Sequence, residues 1–206
     1  MNNINYNNEM EKIINSLDKR PRLLLHSCCG PCSTSVLERL ASHFDLTIFF
    51  YNPNIYPEEE FYKRARVQKE LLKKMGLSIS LVLGEYDDSI YYSSVKGFEN
   101  QKEGSLRCYK CYEFRMREAA LYAKKHAFDY FTTTLSVSPY KRANWINEIG
   151  LELEKTVGIK FLYSDFKKKD GYKRSIELSK TYDLYRQDYC GCSFSKKEAE
   201  EKLDES

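Results

Sequence analysis

Seven cysteines stand in this 206-residue sequence, and six of them fall into three short groups. Cys28 and Cys29 are adjacent, Cys108 and Cys111 form a CxxC pair, and Cys190 and Cys192 flank a single glycine. Thiolates grouped in this way ligate soft metals or exchange electrons as dithiols. In an extended strand Cys28 and Cys29 would point to opposite faces, but a strand-to-helix loop directs both to one site. Gly30 permits a close turn there, and Pro31 suits the first turn of a helix, whose amino end favours thiolate. Spacing of i, i+3 puts Cys108 and Cys111 on one helical face, near the positive end of the dipole. A thioredoxin-like CxxC follows a strand directly; GSLRCYKC follows a loop, which favours ligation. The CGC pair is close enough to share one metal, or to close a strained disulfide that is easily reduced and therefore reactive. Cys32, the odd thiol, reads as a small buried residue or as a ligand of a second metal ion. Zinc on any four of these cysteines stays open. His26, His43 and His126 have no finger spacing, which argues against a Cys/His zinc finger.

Composition sets the frame. A hydrophobic content of 42% and a charged content of 31% are those of a soluble globular chain of one domain. No apolar run approaches the ~20 residues that cross a bilayer, and MNNINYNNEMEKII is not a signal peptide, so a cytoplasmic location and no membrane partner are expected. Stable disulfides are rare in that compartment, and an odd number of cysteines could not all pair. Lys and Arg total 33 against 30 Asp and Glu, a net charge of +3 that permits a nucleic-acid partner without arguing for one.

The elements that must position the thiols follow from periodicity. Residues 1–8 are Asn-rich and read as frayed; Glu9 to Lys19 repeats its apolar residues at helical spacing. RLLLH over Arg22–His26 is an apolar run of the kind a buried parallel strand has, with SCCGPC next and a helix over Ser33–Ser42. Leu46–Tyr51 is a strand, Pro57–Lys74 a long helix closed by Gly76, and Ser78–Leu83 a third strand. Glu85–Gly104 reads as a short helix and a loop. Ser105 is expected to cap a helix over Leu106–Lys125, followed by a strand over Phe128–Thr134 and a helix over Lys141–Lys155. A strand near Lys160–Tyr163, a KKKDG turn and a helix over Tyr172–Tyr185 lead to CGC and a charged tail. Strands alternating with helices predict one Rossmann-like α/β domain over 1–206, a parallel sheet covered on both faces. Residues 1–20 form an amino-terminal extension and 190–206 the CGC segment and tail. In such sheets sites form at the carboxyl ends of strands, where SCCGPC lies.

HSCCGPCS, CYKC and YCGCSFS, in that order and with YNPNIYPEEEF and TTTLSVSPYK between them, resemble the cobalamin-independent epoxyqueuosine reductases, the QueH family, from about Leu23 to Ser195. The resemblance implies a fold similar to the PP-loop nucleotide-binding proteins, with CCGPCS in place of their phosphate loop. It implies two-electron reduction of the epoxide of epoxyqueuosine, at the anticodon wobble position of tRNA, in the last step of queuosine synthesis. It places Cys28, Cys29, Cys108 and Cys111 around a 4Fe-4S cluster. Cys190 and Cys192 become a redox-active disulfide pair, or ligands of a second metal ion (iron) with Cys32 nearby. An electron donor is implied but not named. His26, Asp188 and Tyr189 neighbour the cysteines as candidate proton donors, and Lys141, Arg142 and Lys167–Lys169 are candidate phosphate contacts. The rival readings are a PP-loop iron–sulfur tRNA thiolase that uses ATP and a zinc-bound RNA-binding module without catalysis.

Overall fold

The computed structural model describes residues 4–204. Its five strands are all parallel, in the order β3-β2-β1-β4-β5: β1 Arg22–His26, β2 Asp45–Phe50, β3 Ser80–Leu83, β4 Tyr130–Thr133 and β5 Lys160–Phe161. Alternation along the central strand explains the two covered faces. Leu24 packs with Phe49 and Phe131 under α5 (Leu106–Lys125) and α6 (Ala143–Val157), beside the short α4 (Asp88–Ser94). Leu23 and Leu25 turn the other way, onto α1 (Tyr6–Asn15), α2 (Gly30–Leu40) and α3 (Glu58–Lys74), with α7 (Gly171–Thr181) packed on α2. The expected α/β fold, a parallel sheet covered on both faces, is the one observed. None of the helices described is long and apolar enough to cross a membrane.

Three local expectations are corrected. Within the amino-terminal segment, α1 begins at Tyr6, where frayed chain was expected; Asn5 caps it and Met10 is fully buried against the second core. Residues 1–3 lie outside the described residues. The charged tail forms a helix, α8, over Ser193–Asp204, stabilised by i, i+4 pairs such as Lys196–Glu200. Ser105 occupies the N-cap of α5, but its hydroxyl donates to the Lys102 carbonyl and caps nothing.

Strand order reverses direction between β2-β3 on one side of β1 and β4-β5 on the other. The crevice at the carboxyl ends of β1 and β4 is therefore the topological switch point, where such sheets bind ligands. His26 and Thr133 end these strands opposite one another, and Cys28 begins one residue beyond Ser27.

Candidate metal centre at the switch point

Cys28 and Cys29 leave β1 in the loop that starts α2, and the loop does turn both thiols inward: their sulfurs lie 3.9 Å apart. Cys29 is the N-cap of α2, and its Sγ accepts the backbone N–H of Cys32 at 3.4 Å. The helix can start this deep because Gly30 has no side chain; a Cβ there would stand 2.9 Å from Cγ1 of Val67 on α3. Cys32, one turn into the helix, then joins the pair. The sulfurs of Cys28, Cys29 and Cys32 all lie within 4.8 Å of one another, a spacing at which three thiolates share one metal centre. The three lose protons as a unit. Hydrogen bonding from Cys29 and Cys32 holds the pKa of Cys28 well below the thiol range, and the same contacts push Cys29 up to about 12 and Cys32 well above its ordinary value.

The other four thiols arrive on two further helix amino ends. Cys108 and Cys111 occupy the first turns of α5, and the backbone N–H of Gly104 donates to Cys108 Sγ at 3.3 Å. Cys192 immediately precedes α8, and its Sγ accepts the Ser195 N–H at 3.4 Å, repeating the geometry of Cys29. Cys28 packs against the core cluster that contains Cys108, Cys111 and Cys192. Burial raises the pKa of Cys108, of Cys111 (to about 12) and of Cys190, with Cys192 close enough to add to each. All seven cysteines are free thiols. Thus α2, α5 and α8 each carry thiols at a positive helix end, a placement that favours thiolate and anionic clusters; among the described residues only Cys28, Cys29 and Cys32 stand within metal-sharing distance of one another.

The CGC loop is tied down by residues the sequence reading passed over. Arg64 is buried, pairs with Glu60 at 2.7 Å and donates to the Cys190 carbonyl at 3.1 Å. The Gly191 carbonyl accepts the Tyr56 N–H at 2.8 Å, and Gly191 needs φ +139, a region that side chains avoid. Gln187 donates to Cys29 Sγ at 3.1 Å. Two cations complete the site. Arg115 is 2% exposed and pairs with no carboxylate among the described residues. Burial works against the charge of Lys141, but the thiols of Cys190, Cys28 and Cys32 and the Tyr112 hydroxyl keep its pKa well above the usual lysine value. This donor set, free thiols facing a buried Arg115 and a half-buried Lys141 that pair with no carboxylate among the described residues, fits a thiolate-ligated and negatively charged iron–sulfur cluster.

A cavity of about 720 Å³ opens over the centre, lined by Cys28, Cys32, Lys141, Gln187, Asp188 and Cys190 among others. Of the expected proton donors, Asp188 and Tyr189 line it; His26 does not. His26 is fully buried, its Nε2 donates to the Tyr51 carbonyl, and its Nδ1 therefore accepts from the Thr133 hydroxyl. Burial lowers its pKa to about 4, so it is a neutral structural residue. The phosphate contacts are also revised. Lys141 faces the cavity, Lys167 pairs with Asp165, and Lys169 pairs with Glu11 at 2.6 Å. Arg142 stays exposed, over the Trp145 ring.

A family model described as Epoxyqueuosine reductase QueH matches residues 23–198. The chain is 42% identical over 201 residues to "Epoxyqueuosine reductase QueH" of Staphylococcus epidermidis, covering 93% of this chain and 84% of that protein. It is 37% identical over 183 residues to the protein of the same name from Thermotoga maritima, covering 87% and 93%. A solved structure with a similar fold is the U34-tRNA thiolase NcsA from Methanococcus maripaludis with its 4Fe-4S cluster; the TM-score is 0.55 and the identity 13%, over 97% of this chain and 71% of that one. With Cys28, Cys29 and Cys32 gathered at the switch point and these relatives across nearly its whole length, the chain belongs to the epoxyqueuosine reductase QueH family.

Proposed function

We propose that this protein reduces epoxyqueuosine in tRNA to queuosine. Both bonds from carbon to the epoxide oxygen break, a carbon–carbon double bond forms, and two electrons and two protons carry the oxygen away as water. The observation that carries the reading is the convergence of Cys28, Cys29 and Cys32 at the switch point, under a cavity of about 720 Å³. That volume suits one extruded nucleoside.

Cys28, Cys29, Cys108 and Cys111 are the proposed ligands of a 4Fe-4S cluster, supported by the packing of Cys28 against the cluster of core residues that holds Cys108 and Cys111. Cys32 and Cys190 face the cavity. With Cys192 they are the proposed holders of a second iron, or Cys190 and Cys192 cycle as a dithiol and disulfide. A cluster held there would relay electrons one at a time from an external donor, and a second iron would hold the other electron; the Cys190/Cys192 dithiol, on closing to a disulfide, would instead release both electrons and both protons. Lys141 directs its ammonium into the same cavity, where it stabilises negative charge on the departing oxygen. Tyr140 is 78% exposed at the rim and offers a stacking face to a splayed base, with Arg142 next to it for phosphate.

The test is anaerobic purification followed by incubation of the iron-loaded protein, with reductant, with tRNA that carries epoxyqueuosine. Brown protein, visible absorption bleached by dithionite, and loss of one oxygen from the wobble nucleoside by mass spectrometry are expected. Stoichiometric zinc without iron, or sulfur transfer dependent on ATP, overturns the reading. Full iron content after Cys108→Ser or Cys111→Ser would contradict the ligand assignment alone.

A further inference from the structure

Three buried arginines surround the thiols, and two of them are neutralised. Arg64 pairs with Glu60 at 2.7 Å and Arg107 with Glu198 at 2.9 Å. Arg115, 2% exposed on α5, has only neutral partners. Its Nε donates to the carbonyl of Cys111, one turn earlier, and its Nη1 to Oδ1 of Asn52 at 3.1 Å. Its Nη2 is buried with no hydrogen-bond partner. A buried guanidinium without a counter-charge is expensive, and native interiors keep one only where an anion meets it. The groups facing Arg115 are Cys111, Cys190, Cys28 and Tyr112. Its charge is therefore within electrostatic reach of thiols in the loop after β1, on α5 and in the CGC loop. Asn52 fixes this position from below: its Nδ2 donates to the Ser27 carbonyl at 2.8 Å, so Arg115 is locked to the backbone just before Cys28.

We propose that Arg115 is the fixed counter-charge of the metal centre and holds its reduction potential up. This rests on the reductase reading above. Each electron that enters a thiolate-ligated centre adds a negative charge, and a guanidinium held beside it lowers the free energy of the reduced form more than that of the oxidised form. At an effective dielectric of about 20, a unit charge a few ångströms away is worth more than a tenfold change in that equilibrium. Arg115 is a positioning and electrostatic residue, not a catalytic one. Its guanidinium stays protonated at any working pH, so the effect is a constant field.

The experiment is an anaerobic dye-coupled redox titration of the iron-loaded, full-length protein, wild type against Arg115→Gln, Arg115→Lys and Asn52→Asp. Asn52→Asp keeps the acceptor for Nη1 and sets a carboxylate against the guanidinium, neutralising it, while giving up the Nδ2 bond to the Ser27 carbonyl. At the wild-type midpoint the ratio of reduced to oxidised centre should fall at least tenfold in Arg115→Gln and Asn52→Asp, about 59 mV for a one-electron couple. Arg115→Lys should stay near wild type. Should Arg115→Gln retain no iron, iron retained by Arg115→Lys and a lowered ratio in Asn52→Asp support the counter-charge. A wild-type ratio in either Arg115→Gln or Asn52→Asp, or loss of iron from Arg115→Lys as well, overturns it. Wild-type protein that takes up no iron overturns the reductase reading too, whereas loaded variants with unchanged ratios overturn the counter-charge alone.

Discussion

The side-chain amide of Gln187 donates to the sulfur of Cys29 across 3.1 Å, joining residues 158 positions apart. This contact anchors the segment before CGC to the first cysteine pair. It sits beside the sulfur that also accepts the N–H of Cys32. Gln187→Ala should destabilise the metal-free protein by about 1 kcal/mol and reduce the iron that survives a chelator wash. Thermal unfolding and iron analysis read the two effects, and a variant unchanged in both would remove Gln187 from the site.

Gly30 packs closely against Val67 of α3. A methyl group there would lie 2.9 Å from Val67 Cγ1 and 3.2 Å from the Val67 carbonyl oxygen. Gly30→Ala should cost about 1–3 kcal/mol, the usual cost of overpacking. Adding Val67→Ala removes the nearer atom and should recover part of the loss, so the two changes are not additive. Additive effects in urea unfolding would show that the two residues are not in conflict.

Acid stability should carry the signature of His26. Burial lowers its pKa from 6.5 to about 4, so the unfolded chain binds a proton there before the folded one does. The stabilisation is complete above about 6.5 and is lost as the pH falls toward 4, about 3 kcal/mol in all. Unfolding free energies measured between pH 7 and pH 4 should slope downward with falling pH, and His26→Gln should flatten that slope. An equal slope in both proteins would assign the acid lability to other groups.

Tyr140, with 78% of its surface exposed beside the cavity, packs little protein and is free to stack on a base. Tyr140→Ala should weaken binding of substrate tRNA by about 1–3 kcal/mol, leaving iron content and melting temperature unchanged. Tyr140→Trp should retain affinity. Arg142→Gln should instead reduce the salt dependence of binding. If Tyr140→Ala binds tRNA as tightly as wild type, the stacking surface lies elsewhere.

Much of this protein was legible where information is local. RLLLH reads as a buried strand because Leu23, Leu24 and Leu25 serve both faces of a covered parallel sheet. The helix over Leu106–Lys125 was bounded by its own pattern, and CC, CxxC and CxC announced thiol chemistry through spacing alone. Arg115 had a signal too: it lies at i+7 from Cys108 and i+4 from Cys111, on the face that Tyr112 and Ala119 bury. Other features exist only in three dimensions. Cys32 joins Cys28 and Cys29 because Gly30 lets α2 start against α3. Lys141 turns to the cavity while Lys167 finds Asp165 two residues away and Lys169 finds Glu11 from α1, a pairing that only the folded chain brings about. His26 loses its place as a proton donor because Tyr51 and Thr133, from the loop after β2 and the end of β4, take both ring nitrogens. Residue types and spacings determined which chemistry this chain carries. Tertiary structure decided which charges are left without partners, because burial and pairing depend on what the rest of the chain brings alongside.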